Sequence, residues 1–115
     1  MTAYALCHVH SVEPCEDIFT YIESIEATLE PFGGRFIVHG GGEIDVVEGS
    51  WGPDVIIIEF PDRAAAHGWY HSPAYGRIAY LRTDHMKADL ILFDGVPADY
   101  SAKETARALR ARAAH

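Results

Sequence analysis

Apolar and polar residues alternate with two distinct periods along this chain. A period of two, typical of half-buried strands, occurs in Ala3–His10 and Arg35–His39, and two short apolar runs, Val55–Phe60 and Asp89–Asp94, are typical of strands buried on both faces. After the first segment, apolar residues recur with the 3.6-residue period of an amphipathic helix: Ile18, Ile22, Ile25 and Leu29. The pattern therefore predicts four strands and a long first helix.

Cap and turn residues set the order of the elements. Pro14 suits the first turn of the first helix, which ends at Pro31–Gly34. Asp62 caps a second helix, and Ser72 restarts it with a first-turn proline so that it runs to about Thr83. The resulting order is βαββαβ. This order predicts an α+β fold of the ferredoxin-like type, a four-stranded antiparallel sheet with both helices on one face.

The third and fourth predicted strands are apolar on both faces. Successive side chains point to opposite faces, yet both faces carry hydrophobic residues: Val55, Ile56, Ile57 and Ile58 in one strand, and Leu90, Ile91, Leu92 and Phe93 in the other. Two helices cover only one face, and a bare apolar face on the order of several hundred Å² is rare on a monomer. We therefore predict a homodimer in which a second copy packs sheet to sheet.

The segment after the fourth strand has a different composition. We predict a ferredoxin-like domain over residues 1–97 and a basic helical tail over residues 98–115. The segment from Ser101 onward carries four of the nine basic residues, and Ser101 and Glu104 have the spacing of a capping box. Two interpretations stay open: the tail crosses to the acidic face of a partner subunit, or it is a solvated appendage.

Composition limits the classes of function. The chain has 115 residues and a formal net charge of −8, which argues against binding to nucleic acid or to anionic lipid. Its apolar runs are too short to cross a membrane and its first residues lack the basic start of a signal peptide, so we predict a cytoplasmic protein. Cys7 and Cys15 indicate neither a disulfide framework nor a site of paired thiolates.

Glu59 and His39 are the strongest candidates for catalytic residues. Glu59 lies in the most apolar strand, where a buried carboxylate must be paired or protonated. It is therefore a candidate general base, with a structural ion pair as the alternative. His39 follows Arg35 and Ile37 on one face of the second strand and leads into Gly40–Gly42, where backbone can approach a ligand. Its imidazole is a second candidate base, with a hydrogen bond to the backbone as the alternative.

Four further residues are candidate ligand contacts. Tyr4 and His8 share one face of the first strand, while Trp69 and Tyr75 lie on helices, where packing in the core is the alternative. The histidine pairs His8 with His10 and His67 with His71 have spacings that can hold a metal, but no third ligand is close in sequence. We therefore predict no metal and no cofactor.

Several short motifs in order resemble the DUF1330 family, a family of domains of unknown function. They are Gly33-Gly34-Arg35-Phe36, Gly40-Gly41, Glu48-Gly49-Ser50-Trp51, Ile58-Glu59-Phe60-Pro61, Trp69-Tyr70-His71-Ser72-Pro73-Ala74-Tyr75 and Arg82. The resemblance covers roughly residues 2–96. It implies a dimeric α/β barrel, a superfamily that includes cofactor-free monooxygenases, haem-degrading enzymes and small isomerases or cyclases. The family pattern also implies Arg82 as the partner of Glu59, and it commonly has arginine where His39 stands.

Two kinds of function remain open from the sequence. In the first, the protein is a cofactor-independent enzyme of the isomerase, cyclase or monooxygenase kind, acting on a small apolar carbonyl or phenolic metabolite. Glu59 or His39 then removes a proton next to the carbonyl, and Arg82 or Tyr4 stabilises the enolate. In the second, the chain is a non-catalytic module that binds a small molecule or is a purely structural dimer, with Glu59 and Arg82 as a fixed ion pair.

Overall fold

The sheet has the four antiparallel strands that the sequence predicts, in the order β2–β3–β1–β4. In the computed structural model, which describes residues 1–114, the strands are β1 (Ala3–Val12), β2 (Arg35–His39), β3 (Asp54–Phe60) and β4 (Met86–Asp94). β1 and β4 are longer than their hydrophobic patterns indicate because their ends pair with each other, Val12 lying opposite Met86. The predicted ferredoxin-like α+β fold is confirmed.

Helices α1 to α4 lie on one side of this sheet. They are α1 (Glu16–Leu29), which continues into a 3₁₀ turn (Glu30–Phe32), α2 (Arg63–Tyr70), α3 (Pro73–Gly76) and α4 (Ala79–Thr83). A further helix, α5 (Ala102–Ala113), follows β4. None of the helices within residues 1–114 has the length and apolar character needed to cross a bilayer.

Helix starts agree with the predicted caps at two of four places. Asp62 accepts a hydrogen bond from the Ala65 N–H at 2.8 Å, and Ser72 accepts one from the Tyr75 N–H at 3.2 Å. Pro14, however, precedes α1, and Cys15 occupies the N-cap position without a side-chain cap bond. The capping box predicted at Ser101 is also wrong, because that hydroxyl makes no cap bond.

The part of the second predicted helix that restarts at Ser72 is divided into α3 and α4. Ile78 precedes α4 with φ of −112° and ψ of −13°, away from the angles of a regular α-helix, and its side chain packs against the core. The chain therefore turns at Ile78 before α4 begins. This turn places Arg82, near the end of α4, beside α1.

The core lies between the helices and one face of the sheet. The largest fully buried side chains are Leu29, Phe60, Trp69 and Tyr75, and the odd-numbered residues of β1 from Ala3 to Val9 are buried beneath them. The even-numbered residues of β1 point to the opposite face, away from α1 to α4. Ile91 and Phe93 of β4 lie on that open face with 53% and 36% of their surface exposed.

A β-bulge in β2 changes which residues face the helices. Phe36 pairs with Ile58 and Val38 with Ile57, so Ile37 is an extra residue without a partner in β3. His39 consequently pairs with Ile56 and lies on the same face as Phe36, with which its ring stacks at 4.1 Å between centroids. The prediction that His39 shares a face with Arg35 is therefore wrong.

The long connection between β2 and β3 forms no strand in the single chain. Residues 43–48 have no regular secondary structure and pair with no strand, and Val47 is 89% exposed. The C-terminal end of this connection lies against the open face of the sheet. There Trp51 stacks on His8 at 3.7 Å between ring centroids, and the Gly52 N–H donates to His8 Nε2 at 2.8 Å.

The predicted basic tail forms α5, and all the side chains of this helix are exposed. The Thr105 hydroxyl donates to the Tyr100 hydroxyl at 2.8 Å, and Arg107 pairs with Glu104 at 3.3 Å, both within the segment itself. His115, the last residue of the predicted tail, lies outside the described residues.

Gly34 allows the end of α1 to pack against the sheet, and this contact yields a stability prediction. A Cβ at Gly34 lies only 2.7 Å from Cε1 of Phe60 and 3.0 Å from Cδ2 of Leu29, both in the core. We expect Gly34→Ala to lower the free energy of unfolding by about 1–3 kcal/mol through overpacking. Urea denaturation measures this, with Gly42→Ala as control because its Cβ meets nothing within 4 Å. Equal midpoints for the two variants would contradict the packing argument.

Candidate active site

A cavity of about 70 Å³ lies between α1 and the helix-facing side of the sheet. A single buried water needs about 10–15 Å³, so this space is several times larger than a water site. Most of its wall is aliphatic, including Ile18, Ile22, Ile25, Ile56, Ile58 and Leu90. The polar groups that reach it come from Cys7, Tyr21, His39, Tyr75 and Arg82.

Arg82 is the one buried residue of this cavity that carries a full charge. Its residue surface is only 8% exposed, and no carboxylate within residues 1–114 lies within 4.0 Å of its guanidinium. Burial lowers the pKa of Arg82, but the facing oxygens of Tyr75 and Tyr21 outweigh this and raise its pKa overall. The guanidinium therefore stays cationic, with its Cζ atom 6.0 Å from the centre of the Tyr21 ring.

Two tyrosine hydroxyls lie beside this cation. The Tyr21 and Tyr75 hydroxyl oxygens are 2.8 Å apart and share a hydrogen bond. Burial is the main cause that raises the pKa of Tyr21 far above its ordinary value, and the neighbouring Tyr75 adds to it. Tyr21 is therefore neutral throughout the physiological range, and its hydroxyl belongs to a hydrogen-bonded pair next to Arg82.

Trp69 and Thr28 hold the tyrosine pair in place. The Trp69 ring lies 4.3 Å from that of Tyr75, and its Nε1–H donates to the Thr28 hydroxyl at 3.0 Å. The Thr28 hydroxyl in turn donates to the carbonyl of Ile25 on α1. Every polar atom of this chain of contacts is satisfied, so the tyrosine pair has a fixed position relative to α1.

His39 lines the same cavity from the sheet side. Its ring is parallel to that of Phe36 within 5°, and the residue as a whole is exposed. The stacking against Phe36 therefore fixes the ring plane while leaving the imidazole open to solvent. Four of the seven predicted site residues thus meet at one cavity: His39, Trp69, Tyr75 and Arg82.

The other three predicted site residues lie on the open face of the sheet. Glu59 pairs with Arg35, with Oε1 and Nη2 3.0 Å apart, so the predicted Glu59–Arg82 pair is wrong. The reason is strand alternation, because Glu59 points away from the helices and Arg82 lies among them. Tyr4 lies opposite Glu59 in the sheet and its ring contacts Phe93 at 5.7 Å. His8 stacks on Trp51.

Sequence reasoning missed two partners that the structure supplies. Tyr21 falls between Ile18 and Ile25 on the inner stripe of α1, and a hydroxyl on such a stripe needs a hydrogen-bonding partner. That requirement was a usable signal for the Tyr21–Tyr75 pair. Arg35 lies directly opposite Glu59, which the pairing of β2 with β3 determines. The one-residue bulge beyond Arg35 has no comparable signal in the sequence.

Residues 2–96 match the family described as a domain of unknown function, DUF1330. No curated protein matches the sequence of this chain. Among solved structures, a protein of unknown function from Rhodopseudomonas palustris is 19% identical, with a TM-score of 0.62 over 84% of this chain and 83% of that chain.

Two other solved structures have the same fold. A dimeric ferredoxin-like protein of unknown function from Jannaschia sp. CCS1 is 14% identical, with a TM-score of 0.54 over 83% of this chain and 100% of that chain. A variant of SnoaB, a cofactor-independent oxygenase from Streptomyces nogalater, is 14% identical, with a TM-score of 0.59 over 87% and 97% of the two chains. At these identities the likeness establishes the fold alone.

Burial of Cys7 makes stability depend on pH in a defined direction. Burial raises the pKa of the Cys7 thiol above its ordinary value of 9.0, although the charge of Arg82 opposes the shift. The unfolded chain therefore loses this proton at a lower pH than the folded one. The contribution of this thiol to the free energy of unfolding is therefore complete below pH 9.0. It is lost as the pH rises from there through the pKa of Cys7 in the folded protein.

We therefore expect the free energy of unfolding to fall above pH 9.0, with a shallower fall in Cys7→Ala. Urea denaturation at several pH values on either side of pH 9.0 measures the slope, with Cys15→Ala as the matched control. Because the pKa of Tyr21 is also raised, the free energy of unfolding falls further at higher pH in the parent protein and in both variants. The same slope in Cys7→Ala as in the parent would rule out the buried thiol as the cause.

Proposed function

Because this chain belongs to the DUF1330 family, whose description assigns no function, we propose one from the geometry of the cavity. The cavity binds a small, largely apolar molecule through a carbonyl, carboxylate or phenolic oxygen that accepts from Arg82. The protein acts on this molecule as a cofactor-independent enzyme, with His39 as the base that moves a proton.

The observation that carries this proposal is the buried charge of Arg82. A cation removed from water is costly unless an opposite charge or several acceptors compensate for it. The phenolic oxygens of Tyr21 and Tyr75 face the guanidinium, but both are neutral groups, so no negative charge within residues 1–114 is paired with Arg82. A ligand oxygen that carries negative charge completes the set, and aliphatic walls around it exclude water and strengthen the attraction.

The chemistry requires a base and a stabiliser of negative charge at one cavity. The His39 imidazole takes a proton from the carbon next to a carbonyl, and the electron pair of that C–H bond moves onto the carbonyl oxygen. Arg82 stabilises the enolate so formed, with the tyrosine pair beside it. Return of the proton from the imidazolium to a different atom completes an isomerisation without any cofactor.

The likeness to a cofactor-independent oxygenase supports this class of chemistry at the level of the fold. An enolate or phenolate held by Arg82 is also electron-rich enough to react with dioxygen as a second substrate. Both reactions begin with the same proton transfer, so the first test concerns that step alone.

We expect the protein to catalyse exchange of the C3 hydrogens of 2-oxobutyrate for deuterium in D₂O, measured by proton NMR. This probe has an enolisable carbon beside a carbonyl and a carboxylate that suits Arg82. Arg82→Gln is expected to slow exchange roughly 100-fold or more, through loss of the charge that stabilises the enolate. His39→Gln is expected to lose a similar factor, through loss of the base.

His67→Gln is the matched control for His39→Gln, since His67 lies on the exposed side of α2. Thermal unfolding controls for structure, because a loss of exchange is informative only in a variant that is folded at the temperature of the assay. Loss of exchange in Glu59→Gln, with normal exchange in His39→Gln, would move the reaction to the open face. Binding of 2-oxobutyrate without exchange would favour the non-catalytic binding module.

We also infer that the open face of the sheet packs against a second copy of this chain. The supporting observations are the exposed apolar residues on that face, Ile91 and Phe93, and the exposed apolar side chains of residues 43–48, which pair with no strand in the single chain. The Jannaschia protein of the same fold is described as dimeric. Leu6 and Ile57, which lie opposite each other in the centre of this face, are then buried by the partner.

Light scattering after size-exclusion chromatography is expected to give twice the mass of the 12.7 kDa chain. Ile91→Lys is expected to give monomers, because it places a charge in the middle of the apolar contact. Phe19→Lys is the matched control, since Phe19 is also about half exposed, at 48%, but lies on α1. A monomeric parent protein, or monomers from the control alone, would contradict the assignment of this face.

A further inference from the structure

A group of metal-binding side chains lies at the junction of β1, α1 and the turn between α4 and β4. Glu13, Cys15 and His85 each place one donor atom within 4.8 Å of those of the other two. Glu13 and Cys15 are on the short connection from β1 to α1, and His85 directly precedes β4. The junction is separate from the cavity, which none of the three residues lines.

Backbone hydrogen bonds hold the two segments together. The Glu13 N–H donates to the His85 carbonyl at 2.8 Å, and the His85 N–H donates to the Arg82 carbonyl at 3.1 Å. Cys15 is fixed as the N-cap residue of α1. The three donors are therefore brought together by the fold itself, so an ion entering the site has little chain ordering to impose.

The two nitrogens of His85 face different carboxylates. Nδ1 lies 3.4 Å from Oε1 of Glu13, and Nε2 lies 3.0 Å from Oδ2 of Asp17. A histidine that binds a metal through one nitrogen usually donates the N–H of the other to a carboxylate, which fixes the tautomer and the ring. Asp17 occupies that position relative to Nε2. Nδ1 is thus left to face the group formed by Glu13 and Cys15.

We propose that Glu13, Cys15 and His85 form a binding site for a zinc-type divalent cation, with Asp17 as the positioning residue of His85. A thiolate, an imidazole and a carboxylate are the three ligand types that Zn²⁺ accepts, and a three-ligand site leaves the fourth tetrahedral position to water. The site is reachable from solvent, since the side chains of Glu13 and His85 are 76% and 25% exposed.

A second group on the open face is less suited to bind a metal ion. It consists of His8, His10 and Asp89. Its donor atoms are also within 4.8 Å of one another, because Asp89 of β4 lies opposite His8 in the sheet. However, Nε2 of His8 already accepts the Gly52 N–H, and His10 already pairs with Asp89 at 2.7 Å. This group also lacks a thiolate, so the two groups give different spectra with a cobalt probe.

The test uses the full chain after removal of metal with a chelator and exhaustive dialysis. Titration with Co²⁺, followed by absorption spectroscopy, is expected to give one bound ion per chain and a sulfur-to-cobalt charge-transfer band. Cys15→Ser is expected to lose this band, while Cys7→Ser keeps it because Cys7 is buried elsewhere. Competition between the protein and a chromogenic chelator for Zn²⁺ then gives the affinity.

We expect Asp17→Asn to weaken Zn²⁺ binding roughly tenfold. His85→Gln and Glu13→Gln each remove a ligand and are expected to weaken it further. Circular dichroism tests whether each variant is folded. If the ligand variants do not fold, Asp17→Asn still tests the site, because it leaves all three ligands in place. His10→Gln is expected to leave the affinity unchanged. Equal binding by the parent and by Cys15→Ser would overturn the proposal, as would loss of binding in His10→Gln alone.

Discussion

The division of side chains between the two faces of one antiparallel sheet determines where the chemical groups of this protein lie. Helices α1 to α4 cover one face only, so successive residues of each strand face either the core or the open surface. Arg82 and the tyrosine pair lie in the covered layer, where a single charge has large effects, and the exposed His39 lines the same cavity. Glu59 pairs with Arg35 on the open side, where solvent weakens the interaction.

Strand and helix positions were predictable because each follows from a local pattern. The pattern of the second strand predicted both ends of β2 correctly, and Asp62 and Ser72 cap their helices as expected. The ends of β1 and β4 were not predictable, because they depend on pairing between residues more than seventy positions apart, such as Val12 with Met86. The break at Ile78 likewise depends on tertiary packing, which overrides the helical propensity of the segment.

The sequence brought together residues that the structure divides between two places. His39, Trp69 and Tyr75, together with Arg82, which the family resemblance implied, line the cavity, whereas Glu59, Tyr4 and His8 lie on the open face. The pairing of Arg82 with Glu59, which the family resemblance implied, is wrong because the two side chains lie on opposite sides of the sheet, which the sequence does not show. The metal-binding group at His85 was overlooked for a related reason, since its donors come from segments that only the fold brings together.

The bulge in β2 has a consequence for how this family can change in length. Ile37 has no partner in β3, so a deletion of that residue restores a regular ladder and leaves His39 opposite Ile56. Elsewhere in a strand, the loss of one residue sends every side chain beyond it to the other face. An in-frame loss of a single codon is therefore tolerable at this point of β2, and homologues with and without it would keep the same residue at the cavity.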